Sequence, residues 1–220
     1  MTERLIRAID AKLAETYGRE IGDRGVGDPL DGLILTILSQ NTSDINSDRA
    51  FSRLKETFPT WQKVLRADTA ALEEAIRPGG ISHIKAKRIQ QVLAIIRQEL
   101  GSLDLKKLKD WETQRILDFL MALPGVGRKT AHVVLLFYFD RPAFPVDTHI
   151  YRITRRLGWV PEGADLETAH LILDAAVPDE LKGRLHLNLI AHGRAACIAR
   201  RPRCDSCMIS SRCPRIGVGA

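Results

Sequence analysis

The first 196 residues contain no cysteine; all four in the chain, Cys197, Cys204, Cys207 and Cys213, fall in one short stretch near the C-terminus. That absence excludes a disulfide framework spread through the fold. No apolar run is long enough to span a bilayer, so no membrane partner is expected. The opening residues, MTERLIRAIDAKLAETYG, carry a charge every few positions and lack the uninterrupted apolar core of a secretory signal, so they read as an amphipathic helix. Clear strand alternation is missing, and so is any low-complexity segment. Acidic residues are outnumbered, 27 Asp and Glu against 33 Lys and Arg, giving a formal charge of +6 and a pI near 9.3. That balance favours an anionic partner, of which nucleic acid is the commonest for a basic soluble protein. These features together predict a cytoplasmic protein.

What is present is helical. A chain of 220 residues with 45% hydrophobic content buries a sizeable core, as one large domain or two interleaved ones. Ile89, Val92, Leu93, Ile96 and Leu100 recur at helical spacing, as do Leu181, Leu185 and Leu189. Stretches rich in Gly, Pro and Asp break the pattern at 18–32, at FPTW, at RPGG (77–80), at ALPGVG, at DRPAFPVD and at WVPEGAD. The expectation is an all-α protein of short helices joined by tight turns. PGGISHIKAKRI and PGVGRKTAHVV both set a Pro-Gly turn before a basic, then apolar, helix, as two ordinary helical hairpins would.

The cysteines follow the spacing C-x6-C-x2-C-x5-C. Four clustered thiols in a cytosolic protein read as a metal or cluster site, tetrahedral zinc or a [4Fe-4S] cube. Zinc ribbons usually show two C-x-x-C knuckles, whereas here only Cys204 and Cys207 form one, which tilts the reading toward iron–sulfur. Between the first two cysteines runs IARRPR, with Arg200, Arg201 and Arg203. A basic loop of this kind grips phosphates, or it offsets the negative charge of thiolate ligation; the two readings are compatible.

The stretch LPGVGRKTA, residues 123–131, sets Lys129 in the first turn of an expected helix. Unpaired N–H groups and the macrodipole already make that end positive, so a cation there calls for a nearby anion or a lysine able to give up its proton. The glycines permit positive φ and close backbone approach, and such a turn can aim its amides at a phosphate. Eighteen residues later Asp147 stands in FPVDTHIYRITRRLG, where it suits a helix N-cap.

LPGVGRKTA, VDTHIYR, HGRAAC and the cysteine spacing occur in this order in the endonuclease III family of DNA glycosylases, and the chain resembles that family over roughly residues 25–215. The resemblance implies a two-domain helix-hairpin-helix glycosylase fold. A six-helix barrel would span 23–135, residues 1–22 and 136–220 would form an iron–sulfur cluster domain, and the target nucleotide would enter the cleft between them. It also implies that Lys129 is the catalytic lysine, with a depressed pKa, and Asp147 the essential aspartate. Leu123, Gly125, Gly127 and Arg128 would belong to the DNA-binding hairpin, and the four cysteines would hold a [4Fe-4S] cluster. The gap-filling contact falls on Asn41, in LSQNTSD where the family commonly has glutamine, with Gln40 beside it. Ile81 stands at the apolar wedge, flanked by Ser82 and His83, and Lys85, Lys87 and Arg88 follow as further candidates for phosphate contact.

The implied activity is bifunctional: removal of oxidised pyrimidines from double-stranded DNA and nicking by β-elimination through a Lys129 Schiff base, on damaged or abasic sites. A monomer is expected, associated with the nucleoid if bacterial. Two alternatives stand beside this reading. One is a glycosylase of the same fold with another base specificity; Lys129 and an end at Ala220 argue against the adenine-removing branch. The other is a noncatalytic DNA-binding or redox module, which would not need both Lys129 and Asp147.

Overall fold

The computed structural model describes residues 1–23 and 27–219, and among them every regular element is helical, with no strand. Residues 24–26, in the middle of the 18–32 break, lie outside the described residues. The chain divides into two compact units, Gly27–Phe139 and a second made of Met1–Val26 with Asp140–Ala220. The sequence reading drew these boundaries at 22/23 and 135/136.

In chain order, α1 is Glu3–Tyr17. The unit 27–139 holds α2 Pro29–Ser39, α3 Asp44–Thr57, α4 Trp61–Arg66, α5 Thr69–Ile76, α6 Ser82–Leu100, α7 Thr113–Met121 and α8 Arg128–Tyr138. The chain then runs through α9 Thr148–Arg156, α10 Leu166–Ala176 and α11 Lys182–Ala195. None of these helices is long and apolar enough to cross a membrane.

Local chemistry sets the helix ends. Thr2 caps α1 by accepting the Leu5 N–H, and Gly18 stops it at φ 57°. Asp28 caps α2, with Pro29 in the first turn where a missing N–H costs nothing. Leu30, Leu33, Ile34, Ile37 and Leu38 of α2 are all fully buried, so this helix is apolar nearly all round and runs through the middle of its unit. Its Gly32 lies against the Tyr138 ring of α8, 2.4 Å from where a Cβ would stand, so a side chain there would push the two helices apart. The α6 stripe of Ile89, Val92, Leu93 and Ile96 is buried as its spacing implies. Each such side chain contributes about 1.5–3 kcal/mol relative to exposure. In the other unit, Ile6, Ile9 and Leu13 of α1 pack with Phe144, Ile150, Leu185 and Leu189 into a separate core.

Candidate functional site

The hairpin joins α7 to α8. Gly125 has φ +72°, a left-handed conformation, and the Arg88 side chain of α6 lies 2.1 Å from where its Cβ would be; both facts demand glycine. The turn closes through Val126 N–H to the Leu123 carbonyl at 3.1 Å. Leu123 is only 2% exposed, so any part it takes in DNA contact runs through backbone and packing. Gly127 caps α8 with no side-chain hydrogen bond, and Arg128 and Lys129, both half-buried, fill the first turn. A helix start of this kind suits an anion.

Two more loops of the same unit carry expected DNA contacts. At the exit of α2, Gln40 is spent internally: its Nε2 donates to the Gly125 carbonyl at 3.0 Å, and its Oε1 accepts from Arg88 Nη1 at 2.9 Å. Asn41, in contrast, is exposed at φ 55°. Of the two residues in LSQNTSD, Asn41 is therefore the one presented outward. Ile81 stands 43% exposed at φ 42° and does not pack into the core; His83 is exposed beside it.

Lys85 corrects an expectation. Offered by the sequence as a phosphate contact, it is fully buried, and its Nζ donates to the carbonyls of Leu38 at 2.6 Å and Gly79 at 2.8 Å. Burial, helped by nearby Arg88, lowers its pKa to about 8. A lowered lysine pKa often marks a nucleophile, but this amine is sealed in the core between two carbonyls. Arg88 is likewise engaged by Gln40, which leaves Lys87 as the exposed cation of the three.

In the other unit Asp147 is half-buried and caps α9, its Oδ1 accepting the Ile150 N–H at 2.8 Å. The backbone leading to it is pinned at three successive residues. Asp174 accepts the Phe144 N–H at 2.7 Å, His186 Nδ1 donates to the Pro145 carbonyl at 2.9 Å, and His170 Nε2 accepts the Val146 N–H at 3.0 Å. None of these pins was singled out from sequence, because their partners lie far along the chain.

The four cysteines are half-buried, carry no disulfide, and line one pocket that opens to solvent, with Ile153, Leu157 and Ile209 among its apolar walls. Burial raises the thiol pKa of Cys207 and Cys213, and neighbouring cysteines raise both further. Among the described residues, no group of three or more His, Cys, Asp or Glu is arranged to hold a metal ion. Arg156 of α9, also missed from sequence, reaches Cys197 Sγ at 3.2 Å and the carbonyls of Ile198 and Ala199 at 2.8 and 2.9 Å. Arg152, one turn earlier, holds the Cys197 carbonyl at 2.8 Å. Arg200, Arg201 and Arg203 are exposed, with Arg201 at φ 54°. The cation touching a thiol is thus Arg156, and the loop arginines face solvent.

Residues 34–176 match the HhH-GPD superfamily of base excision DNA repair proteins. The chain is 36% identical to endonuclease III of Thermotoga maritima over 84% of its own length and 83% of that protein. A longer relative from Arabidopsis thaliana is 43% identical over 75% of the chain, which spans 56% of that protein. Among solved structures it resembles a non-covalent endonuclease III–DNA complex (TM-score 0.83, 30% identity, 98% of this chain and 96% of that one). A trapped endonuclease III–DNA covalent intermediate matches similarly (TM-score 0.82, 30% identity, 98% and 97%).

Proposed function

Because the chain belongs to the HhH-GPD superfamily of base excision DNA repair proteins, we propose that it is a DNA glycosylase that excises damaged bases from duplex DNA and then cleaves the strand as a lyase, with Lys129 as nucleophile. The observation that carries this reading is the match, over 98% of the chain, to endonuclease III held on DNA, once as a covalent intermediate. Lys129, in the first turn of α8 directly after the glycine turn, is the residue whose chemistry fits such an intermediate. Oxidised pyrimidines are the proposed substrates.

A base inside a duplex is unreachable, so its nucleotide must first leave the stack. Exposed Ile81 and Asn41 are suited to occupy the space it vacates. The neutral Lys129 amine then adds its electron pair to the sugar C1′ as the bond from C1′ to the base breaks, and the base departs with a proton. Opening of the sugar ring, with a proton passing to its oxygen, leaves a protonated imine. The imine acidifies the C2′ proton; its removal sends the electron pair toward C3′ and expels the 3′ phosphate. Water finally hydrolyses the imine and releases Lys129. Asp147 moves protons or balances positive charge on the sugar, as carboxylates do in glycoside cleavage generally.

The cysteine pocket fits a [4Fe-4S] cluster that Cys197, Cys204, Cys207 and Cys213 would hold: all four line the same pocket, and Arg156 supplies compensating charge at Cys197. When bound, such a cluster supplies a cross-link that holds the 197–213 segment, and with it the exposed arginines, in one conformation.

Borohydride reduces an imine to a stable amine. Added during turnover of abasic or oxidised-pyrimidine duplex, it should cross-link wild-type protein to DNA, while Lys129→Gln should neither cross-link nor nick yet still bind. Asp147→Asn keeps a capping oxygen but loses the charge, so folding and binding should survive while base removal falls by about 100-fold or more. Cross-linking by Lys129→Gln through another residue would remove the lysine from the mechanism.

A further inference from the structure

The protein has one unusual lysine that the proposed reaction does not use. Lys85 is fully buried, and the partners of its Nζ are two main-chain carbonyls. Burying an ammonium costs several kcal/mol, and an apolar side chain of similar length would fill the core with less penalty. What the lysine joins is therefore informative.

One carbonyl belongs to Leu38, near the C-terminal end of α2 and three residues before Asn41. The other belongs to Gly79, in the 3₁₀ turn Arg77–Gly79 and two residues before Ile81. Asn41 and Ile81 are the non-glycine residues of the unit 27–139 with positive φ, 55° and 42°. Left-handed backbone at such residues persists only where the surroundings over-determine it. Isoleucine is β-branched and especially poor in that region, so its loop must be held firmly. The Gly79 turn is also pressed on α3, where a Cβ on the glycine would stand 3.2 Å from that of Ala50. One turn along α6, Arg88 holds Gln40, which in turn holds the Gly125 carbonyl of the hairpin. One face of α6 thus fastens three loops.

We propose that Lys85 is a positioning residue: it ties the exit of α2 to the 79–81 turn as one rigid edge, so that Asn41 and Ile81 enter the opened duplex as a pair. The inference deepens the proposed glycosylase function and rests on it for the DNA, but the tie itself can be tested without any reaction.

Hydrogen exchange reads the tie directly. In Lys85→Met, the amides of Gln40 and Thr42 at one loop and Gly80 at the other should all exchange about tenfold faster or more, while the α8 amides of the same unit keep their protection. A uniform loss across the unit, or loosening of one loop alone, would overturn the proposal. Lys85→Gln, whose shorter amide cannot span both carbonyls, serves where Lys85→Met does not fold; failure of both to fold would make Lys85 a folding staple and also overturn it.

The second arm is a cycle in base excision. Asn41→Ala and Ile81→Ala should each cost about tenfold in otherwise wild-type protein but under about twofold when Lys85 is already Met, because residues acting through one tie are not additive. Fully multiplicative losses would show that Lys85 only stabilises. Should wild-type protein excise no base from any duplex, the proposed function fails, and the exchange result still decides the tie.

Discussion

Lys85 and Lys129 both lie in the first turns of their helices, and they differ in what surrounds them. Lys129 is half-buried behind a glycine turn; Lys85 is sealed between two carbonyls. Sealing leaves a signature in stability. The folded-state pKa of Lys85 is lowered from 10.5 to about 8 by burial, so between those values the unfolded chain binds the extra proton and the folded chain does not. Stability contributed through Lys85 must rise as pH climbs through that window, and the full cost of burying the charge is present below it. A neutral amine keeps two N–H donors, enough for both carbonyls. Denaturant midpoints of wild type and Lys85→Met should therefore separate in favour of wild type between pH 8 and pH 10, by up to roughly 2–3 kcal/mol. A gap that stays constant or narrows would mean that the charge is not buried as described.

At the scale of the element, the arginines around the cysteine segment are sorted by neighbourhood. Arg156 is only 9% exposed and holds Cys197 Sγ together with two carbonyls, so it belongs to the cysteine pocket. Arg200, Arg201 and Arg203 point to solvent from the loop between the first two cysteines. This division favours phosphate contact over charge compensation for the loop. Duplex affinity should fall linearly in log salt, and Arg201→Ala should flatten the slope by about one phosphate contact. An unchanged slope in equilibrium titrations at several salt concentrations would return Arg201 to the charge-balancing role.

For the molecule as a whole, the question is what holds the unit made of 1–26 and 140–220. Its core of Ile6, Ile9, Leu13, Phe144, Leu185 and Leu189 includes Ile209, between the last two cysteines, and Cys197, Cys207 and Cys213 pack against it. Purified protein should be brown and contain about four irons per chain, as a cube held by four thiolates requires. Stripping the iron should expose the 197–213 segment to protease while Gly27–Phe139, with a core of its own, stays resistant. Colourless protein with stoichiometric zinc would replace the cluster by a single ion.

Much of this was legible in the residues alone, wherever the physics is local. Helical spacing marked the buried face of α6, the break that begins at Gly18 ended α1, and Asp147 caps α9 as its position suggested. Breaks lacking Gly or Pro, at 40–43 and 67–68, escaped notice because a serine or aspartate cap is a weaker signal than a glycine turn. The cysteine spacing and the hairpin glycines were visible because each needs its residue type at a fixed offset. Only the tertiary structure decided which cations are available. Lys85, Lys87 and Arg88 are equally basic in the sequence, yet one is buried, one exposed and one engaged by Gln40. It likewise decided that Gln40 braces the hairpin while Asn41 faces outward, and that Asp174, His186 and His170 pin the approach to Asp147. The reason is common to all of these. A side chain's chemistry is written in its own residue, but its solvation and most of its partners come from segments 24 to 85 positions away, and no local pattern encodes which of them it will meet.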